Sequence, residues 1–418
     1  MNGMYKNLLI TSLALTLGAQ TMHAGSFQLN LQGIRQTAMG GSGMAKPWDM
    51  STIFFNPGGL SRLDKWEVYA SGYLVSPNVS FSQYPTAGYQ YDAVKNTSTP
   101  FAVYFGGPLS KNKKFSAGVG VFTPFGSSLE WDKSWAGRYI IQDISLQTVQ
   151  IQPTVGYKIS EQFSVGAGFN IGIGGMEINR ALPVGFQSTG DDATVNMKGD
   201  AIGFGFNLGI HYKPCSQWNI GLSYRHGTNM KVDDGKATFT VPTAAAGNFP
   251  TNGVTGFTTN LALPHIVTLG AAFDANEKLT FTGDLILAGW SRYKSLDFNF
   301  DEQTAAVKNS SETRNYKNTL AIRVGANYKV IPELEIMAGA AYDPTPTSPN
   351  FTSPDAVDGN RMVGSLGAAY TIGKKFSIMA AVQYTHVNTR NAAYTPAQFI
   401  GAYQMKSVTP AFGLSYKF

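Results

Sequence analysis

Cysteine is almost absent: Cys215 stands alone in 418 residues, so no disulfide closes within the chain. Charged residues are scarce at 14%, well below the usual share of about a quarter, yet the mean hydropathy is only −0.10. Long apolar runs are also missing. A multispan helical protein needs several of roughly 20 residues, whereas the one apolar run here, residues 8–19, is short and lies at the start. Of the five histidines, His23 lies near the start, and no two fall at metal-ligand spacing. No G-x-S-x-G elbow is present either. These absences leave no basis for an enzyme, a metal centre or a cofactor. The net charge is +6, but the basic residues are scattered rather than clustered among aromatics, which speaks against nucleic acid. Such cations are expected to meet anionic lipid headgroups or anionic solutes.

Strand-like runs whose connections alternate in length are what the sequence does contain. Short gaps at 109–113, 160–162, 214–217, 274–277, 331–333 and 373–375 alternate with long polar or Pro/Gly-rich gaps near 125–138, 181–198, 233–256, 299–313, 345–360 and 388–403. An antiparallel transmembrane barrel has this rhythm, with tight periplasmic turns and long outer loops. The last strand shows the side-chain pattern. Val408, Pro410, Phe412, Leu414, Tyr416 and Phe418 share one parity; Thr409, Ala411, Gly413, Ser415 and Lys417 share the other. Successive side chains point to opposite faces, so one face is apolar for lipid and the other small and polar for a lumen. Counting such runs predicts an all-β, antiparallel transmembrane β-barrel of about fourteen strands over residues 65–418. Low charge without high mean hydropathy follows from the same alternation.

Ahead of the barrel, Lys6, the apolar run and Met22-His23-Ala24 predict a signal peptide over residues 1–24. Residues 25–64 then combine Gly, Ser and Ala with Phe27, Leu29, Ile34, Phe54 and Phe55. That composition suits a compact N-terminal hatch packed inside the lumen better than a disordered tail.

Here the sequence resembles the long-chain fatty-acid transporter family of outer membranes, which includes importers of aromatic hydrocarbons. Phe27-Gln28-Leu29-Asn30 is similar to the family's mature start. Asn56-Pro57-Gly58 resembles its Asn-Pro-Ala motif, with Gly58 in place of Ala. Leu263-Pro264, Gly289-Trp290-Ser291 and Ala341-Tyr342-Asp343-Pro344-Thr345-Pro346 follow in the family order. Pro124-Phe125-Gly126, with Trp131, Trp135 and Gly137-Arg138-Tyr139, resembles the hydrocarbon-importing branch.

The resemblance implies a hatch-plugged monomeric barrel in the bacterial outer membrane. Hydrophobic molecules are captured at the outer loops, held in an inner pocket and released sideways through a kinked third strand. Gly118, Gly120 and Pro124 are the expected marks of that opening, since glycine and proline within a strand often signal bends. Arg180 and Lys317 fall near the family's basic pocket positions and share the inward parity of their strands. Arg323 is a further ligand candidate, although it, Arg225 and Arg361 also suit ordinary pairing with Asp284 or another carboxylate. Leu182 and Phe186 in one loop, and Phe239 by another, are expected to form an apolar outer groove. Residues 233–256 depart from the family pattern in lacking a clear helical hairpin. The expected function is import of hydrophobic molecules, foremost long-chain fatty acids. Neutral aromatic hydrocarbons, a surface adhesin and an aqueous porin stand as alternatives.

Overall fold

A computed structural model describes residues 27–83, 89–183 and 192–418. The expected signal peptide and Phe186 lie outside the described residues. Among the described residues, fourteen antiparallel strands close into one barrel. In chain order they are β1 (Glu67–Tyr73 and Ser76–Gln83), β2 (Gln90–Asp92 and Phe101–Pro108), β3 (Phe115–Phe122 and Gly126–Glu130), β4 (Asp143–Lys158) and β5 (Phe163–Leu182). Next come β6 (Ala193–Tyr212), β7 (Trp218–Arg225 and Asn229–Thr240), β8 (Val254–Ala262 and His265–Asp274), β9 (Leu279–Gly289 and Ser295–Phe300) and β10 (Ser310–Thr313 and Thr319–Ile331). The last four are β11 (Leu334–Asp343), β12 (Arg361–Ile372), β13 (Phe376–Tyr394) and β14 (Phe399–Lys417). Strands β1 and β14 pair from Glu67↔Lys417 to Tyr73↔Ala411, which closes the sheet into a ring. Closure is the one way a sheet satisfies its backbone in lipid.

The predicted parity holds in β14. Val408, Phe412, Leu414 and Tyr416 are exposed to the outside, while Ser407, Thr409, Ala411 and Ser415 are buried. Interior polar side chains are buried because the lumen is filled. Residues 27–64 run through it with two short helices, α1 (Ile34–Ala38) and α2 (Thr52–Phe55). This segment touches the wall all round. Ile34 packs on Gly413, Gly40 on the Ala340 backbone and Ile53 on Gly118. Arg35 pairs with Glu335, and Lys46 with Asp274. The Asp284 carboxylate accepts the N–H groups of Gly43 at 2.9 Å and Met44 at 3.1 Å.

The Asn56-Pro57-Gly58 turn is seated most closely. The Asn56 amide donates to the Ile210 carbonyl at 3.0 Å, and its oxygen accepts the Gly58 N–H at 3.0 Å. A Cβ on Gly58 would lie 2.7 Å from the carbonyl carbon and oxygen of Gly209 in β6, closer than real Cβ contacts come. Gly58 therefore stands where alanine would collide with the wall. Above the lumen the connections fold inward as well. Trp131 and Trp135 stack at 4.4 Å, and the Trp131 indole donates to the Pro354 carbonyl at 3.2 Å, tying two loops into a roof.

Candidate transport site

Proline creates the first feature of the site. Pro124 has no N–H to give a ladder, and it falls between the two segments of β3. Across the break β3 advances from Phe122 to Gly126, while β4 moves only from Gln150 to Gln147, one residue fewer. Such an excess bends a strand. Beyond it Ser127, Ser128 and Leu129 are all buried irrespective of parity, so the upper part of β3 leans into the barrel. On the other side the β2 ladder ends at Ala102↔Phe122.

The chain's own N-terminal segment occupies the vacated edge. The Gly126 N–H donates to the Phe27 carbonyl, and the Leu29 N–H to the Pro124 carbonyl, each at 2.8 Å; Gln28 and Phe125 form an antiparallel bridge. Gly118 and Gly120 lie lower, in unbroken ladders with β2 and β4, and the space they leave receives Ile53 and Tyr104. Of the three expected marks of the opening, only Pro124 is at the break.

Behind Phe27 lies an apolar pocket, walled by Ile144, Leu146, Met176 and Ile178 on one side and by Leu261 and Leu296 on the other. Its free room is about 40 Å³, far below the ~300 Å³ or more of ordinary ligand sites. Phe27 is itself part of the lining, so the N-terminal segment plugs the pocket as well as the break.

One charge, Asp355, reaches this pocket, and it is held in a chain of ion pairs. Arg314 grips it in bidentate fashion at 3.0 and 2.7 Å and also binds Glu312 at 2.8 Å. Glu312 in turn lies 3.5 Å from Arg180. Burial works against charge on both Arg314 and Asp355, but their pairing outweighs it. The Asp355 carboxyl is held below its ordinary range and the Arg314 guanidinium above its own. Sequence reasoning missed Arg314. The alternation Glu312-Thr313-Arg314 in a strand was the available signal, since it sets an acid and a base on one face.

Gln28, the residue after Phe27, lines a second cavity together with Trp290, Arg323, Asp343 and Arg361. Arg323 and Arg361 approach the same Asp343 oxygen at 3.7 and 3.6 Å. Each has a buried Nε with no hydrogen-bond partner among the described residues. Two guanidiniums thus share one carboxylate at long range.

The other expected contacts are more dispersed. Arg180 is at the pocket's charged rim, but Lys317 is exposed, with its N–H on the Pro346 carbonyl. Leu182 packs against, and Phe239 belongs to, the apolar cluster under the loops that also holds Phe27 and Trp131. Arg225 donates to Gln152 at 3.1 Å and to the Phe54 carbonyl at 2.8 Å, and so anchors α2. Residues 243–253 form two 3₁₀ turns rather than a helical hairpin.

A closed fourteen-stranded wall around a lumen occupied by residues 27–64 is the architecture of an outer-membrane β-barrel. The family model described as outer membrane protein transport protein (OMPP1/FadL/TodX) matches residues 15–418, and the chain belongs to that family. It is 24% identical to a long-chain fatty acid transport protein of Salmonella typhi, over 94% of each chain. Among solved structures it superposes on a Pseudomonas aeruginosa FadL homologue with a TM-score of 0.82 at 20% identity, covering 94% of this chain and 100% of that one. The toluene transporter TodX of Pseudomonas putida gives 0.74 at 17% identity, covering 95% and 100%. The protein is an outer-membrane transporter of hydrophobic substrates, a channel and not an enzyme.

Proposed function

We propose that this chain imports long-chain fatty acids. The observation that carries the reading is the Phe27-Gln28 step, where Phe27 lines an apolar pocket and Gln28 a cavity in which Arg323 and Arg361 approach one carboxylate, Asp343, at long range and Arg323 also reaches the Gly41 carbonyl at 3.4 Å. Withdrawal of these two residues merges the two spaces. A hydrocarbon tail then gains about 0.8 kcal/mol per methylene in the apolar half, while its carboxylate meets charge-assisted donors in the other. Arg180 and Lys317 act earlier, at the rim, where an incoming carboxylate competes with Glu312. The same withdrawal breaks the bridge to Phe125 and frees the edge at Pro124. Tail-first release into lipid there spares the tail a return to water.

The narrowness of the closed pocket and the tryptophan roof above it favour a second reading, import of small neutral aromatic hydrocarbons. Uptake of labelled oleate and labelled toluene by cells lacking their own fatty-acid transporter separates the two. Chain-dependent oleate uptake that falls in Arg323→Gln/Arg361→Gln, with surface assembly intact, supports the fatty-acid reading. Chain-dependent toluene uptake without oleate uptake overturns it.

A further inference from the structure

Among the described residues the ladders of the wall are also interrupted away from β3, most openly between β8 and β9. The lower segments of β8 and β9 pair from Asp274↔Thr280 up to His265↔Gly289. Their upper segments meet again only over Phe257–Thr259 against Phe300–Phe298. Between these ladders, residues 260–264 face residues 290–297 with no strand pairing. Arg292 bridges the seam: its guanidinium donates to the Gly227 and Leu263 carbonyls and, at 2.7 Å, to Asn229 Oδ1.

Outside this seam is a groove of about 410 Å³ lined by Lys231, Asp233, Asn260, Arg292, Lys294 and Asp297. Lys231 and Lys294 are exposed and take no part in the ion pairs found among the described residues. Asp297 is occupied by the hydroxyls of Ser295 at 3.1 Å and Ser311 at 2.5 Å. Lys198, higher on β6, is by contrast already paired with Glu177 at 3.4 Å. The groove's height on the barrel follows from its neighbours. Below it the outer face is apolar, with Leu269, Leu285, Leu287 and Ile322 all exposed. At the upper edge of that belt Tyr224 Oη meets His265 Nδ1 at 2.9 Å, and His226 packs against His265, an aromatic cluster of the kind that marks a membrane interface. The cations just above it therefore stand at headgroup level.

We infer that this groove binds the phosphate of an outer-leaflet glycolipid, lipid A in an outer membrane, with Lys231 and Lys294 as its primary contacts and Arg292 beneath them. A phosphate monoester carries about −1.5 to −2 charges at neutral pH, which suits lysines that lack partners. The bound lipid covers the one stretch between β8 and β9 where the wall has no backbone ladder.

The test is native mass spectrometry of the full-length barrel in detergent, titrated with lipid A, dephosphorylated lipid A or inorganic phosphate. Wild-type protein and the control Lys111→Ala/Lys375→Ala, altered in short turns at the opposite end, are expected to retain one lipid A. At roughly the worth of one membrane-surface cation per lysine, Lys231→Ala/Lys294→Ala weakens retention by about thirtyfold. Asp233→Asn, which removes a negative charge from the groove, tightens it. Equal retention in the lysine variant overturns the proposal, as does equal binding of dephosphorylated lipid A. Displacement of lipid A by inorganic phosphate at the same affinity overturns the lipid assignment in favour of a small-anion site.

Discussion

The Phe27 carbonyl accepts the Gly126 N–H at 2.8 Å across the break in β3, while the Phe27 ring lines the apolar pocket. One residue thus seals the wall with its backbone and fills the pocket with its side chain. Phe27→Ala keeps the backbone seal and removes the ring. Binding of a fluorescent fatty acid to the purified barrel should tighten several-fold, because the ligand no longer competes with about 1.5–3 kcal/mol of buried aromatic side chain. Weaker binding would show that the ring is a ligand contact instead.

Gly58 meets Gly209 where no Cβ fits. Gly58→Ala should lower stability by about 1–3 kcal/mol through overpacking, read as a drop in Tm and faster proteolysis of the lumen segment. Gly247→Ala is the control, since a Cβ there meets nothing within 4 Å.

The Arg314–Asp355 pair makes the roof acid-sensitive. Because the folded-state carboxyl is held below its ordinary value, its contribution is fully present above the ordinary carboxylate range near ~3.9. It is lost as the pH falls through the depressed value. Hydrogen exchange in residues 345–360 should stay slow at neutral pH and accelerate only in strong acid. At neutral pH Asp355→Asn should accelerate it and cost roughly 3–5 kcal/mol locally, since it leaves a buried guanidinium short of one partner; in strong acid, where Asp355 is itself uncharged, variant and wild type should converge.

Because residues 27–64 fill the lumen, planar bilayers containing the chain should show no steady large currents. Deleting residues 27–50 should open them, provided the barrel still assembles. Steady large currents from the intact chain would favour an aqueous pore.

Much of this architecture is legible in the sequence because a barrel wall obeys a local rule. Each strand must alternate between lipid and lumen, so parity along Val408–Phe418 already assigns every side chain a face, and the alternation of short and long gaps gives the antiparallel order. Pro124 could be placed at a bend for the same reason, its missing N–H being a property of the residue alone. What the tertiary structure decided are the meetings between distant segments. Gly118 and Gly120 look like bend-makers in sequence, yet they sit in regular ladders, because the space they leave is taken by Ile53 and Tyr104. Arg314 finds Asp355, Arg323 and Arg361 converge on Asp343, and Phe27 reaches Gly126 only once the wall closes around the lumen segment. Periodicity states which way a side chain points; what it meets there depends on barrel curvature and on the path of the plug, which no local pattern encodes.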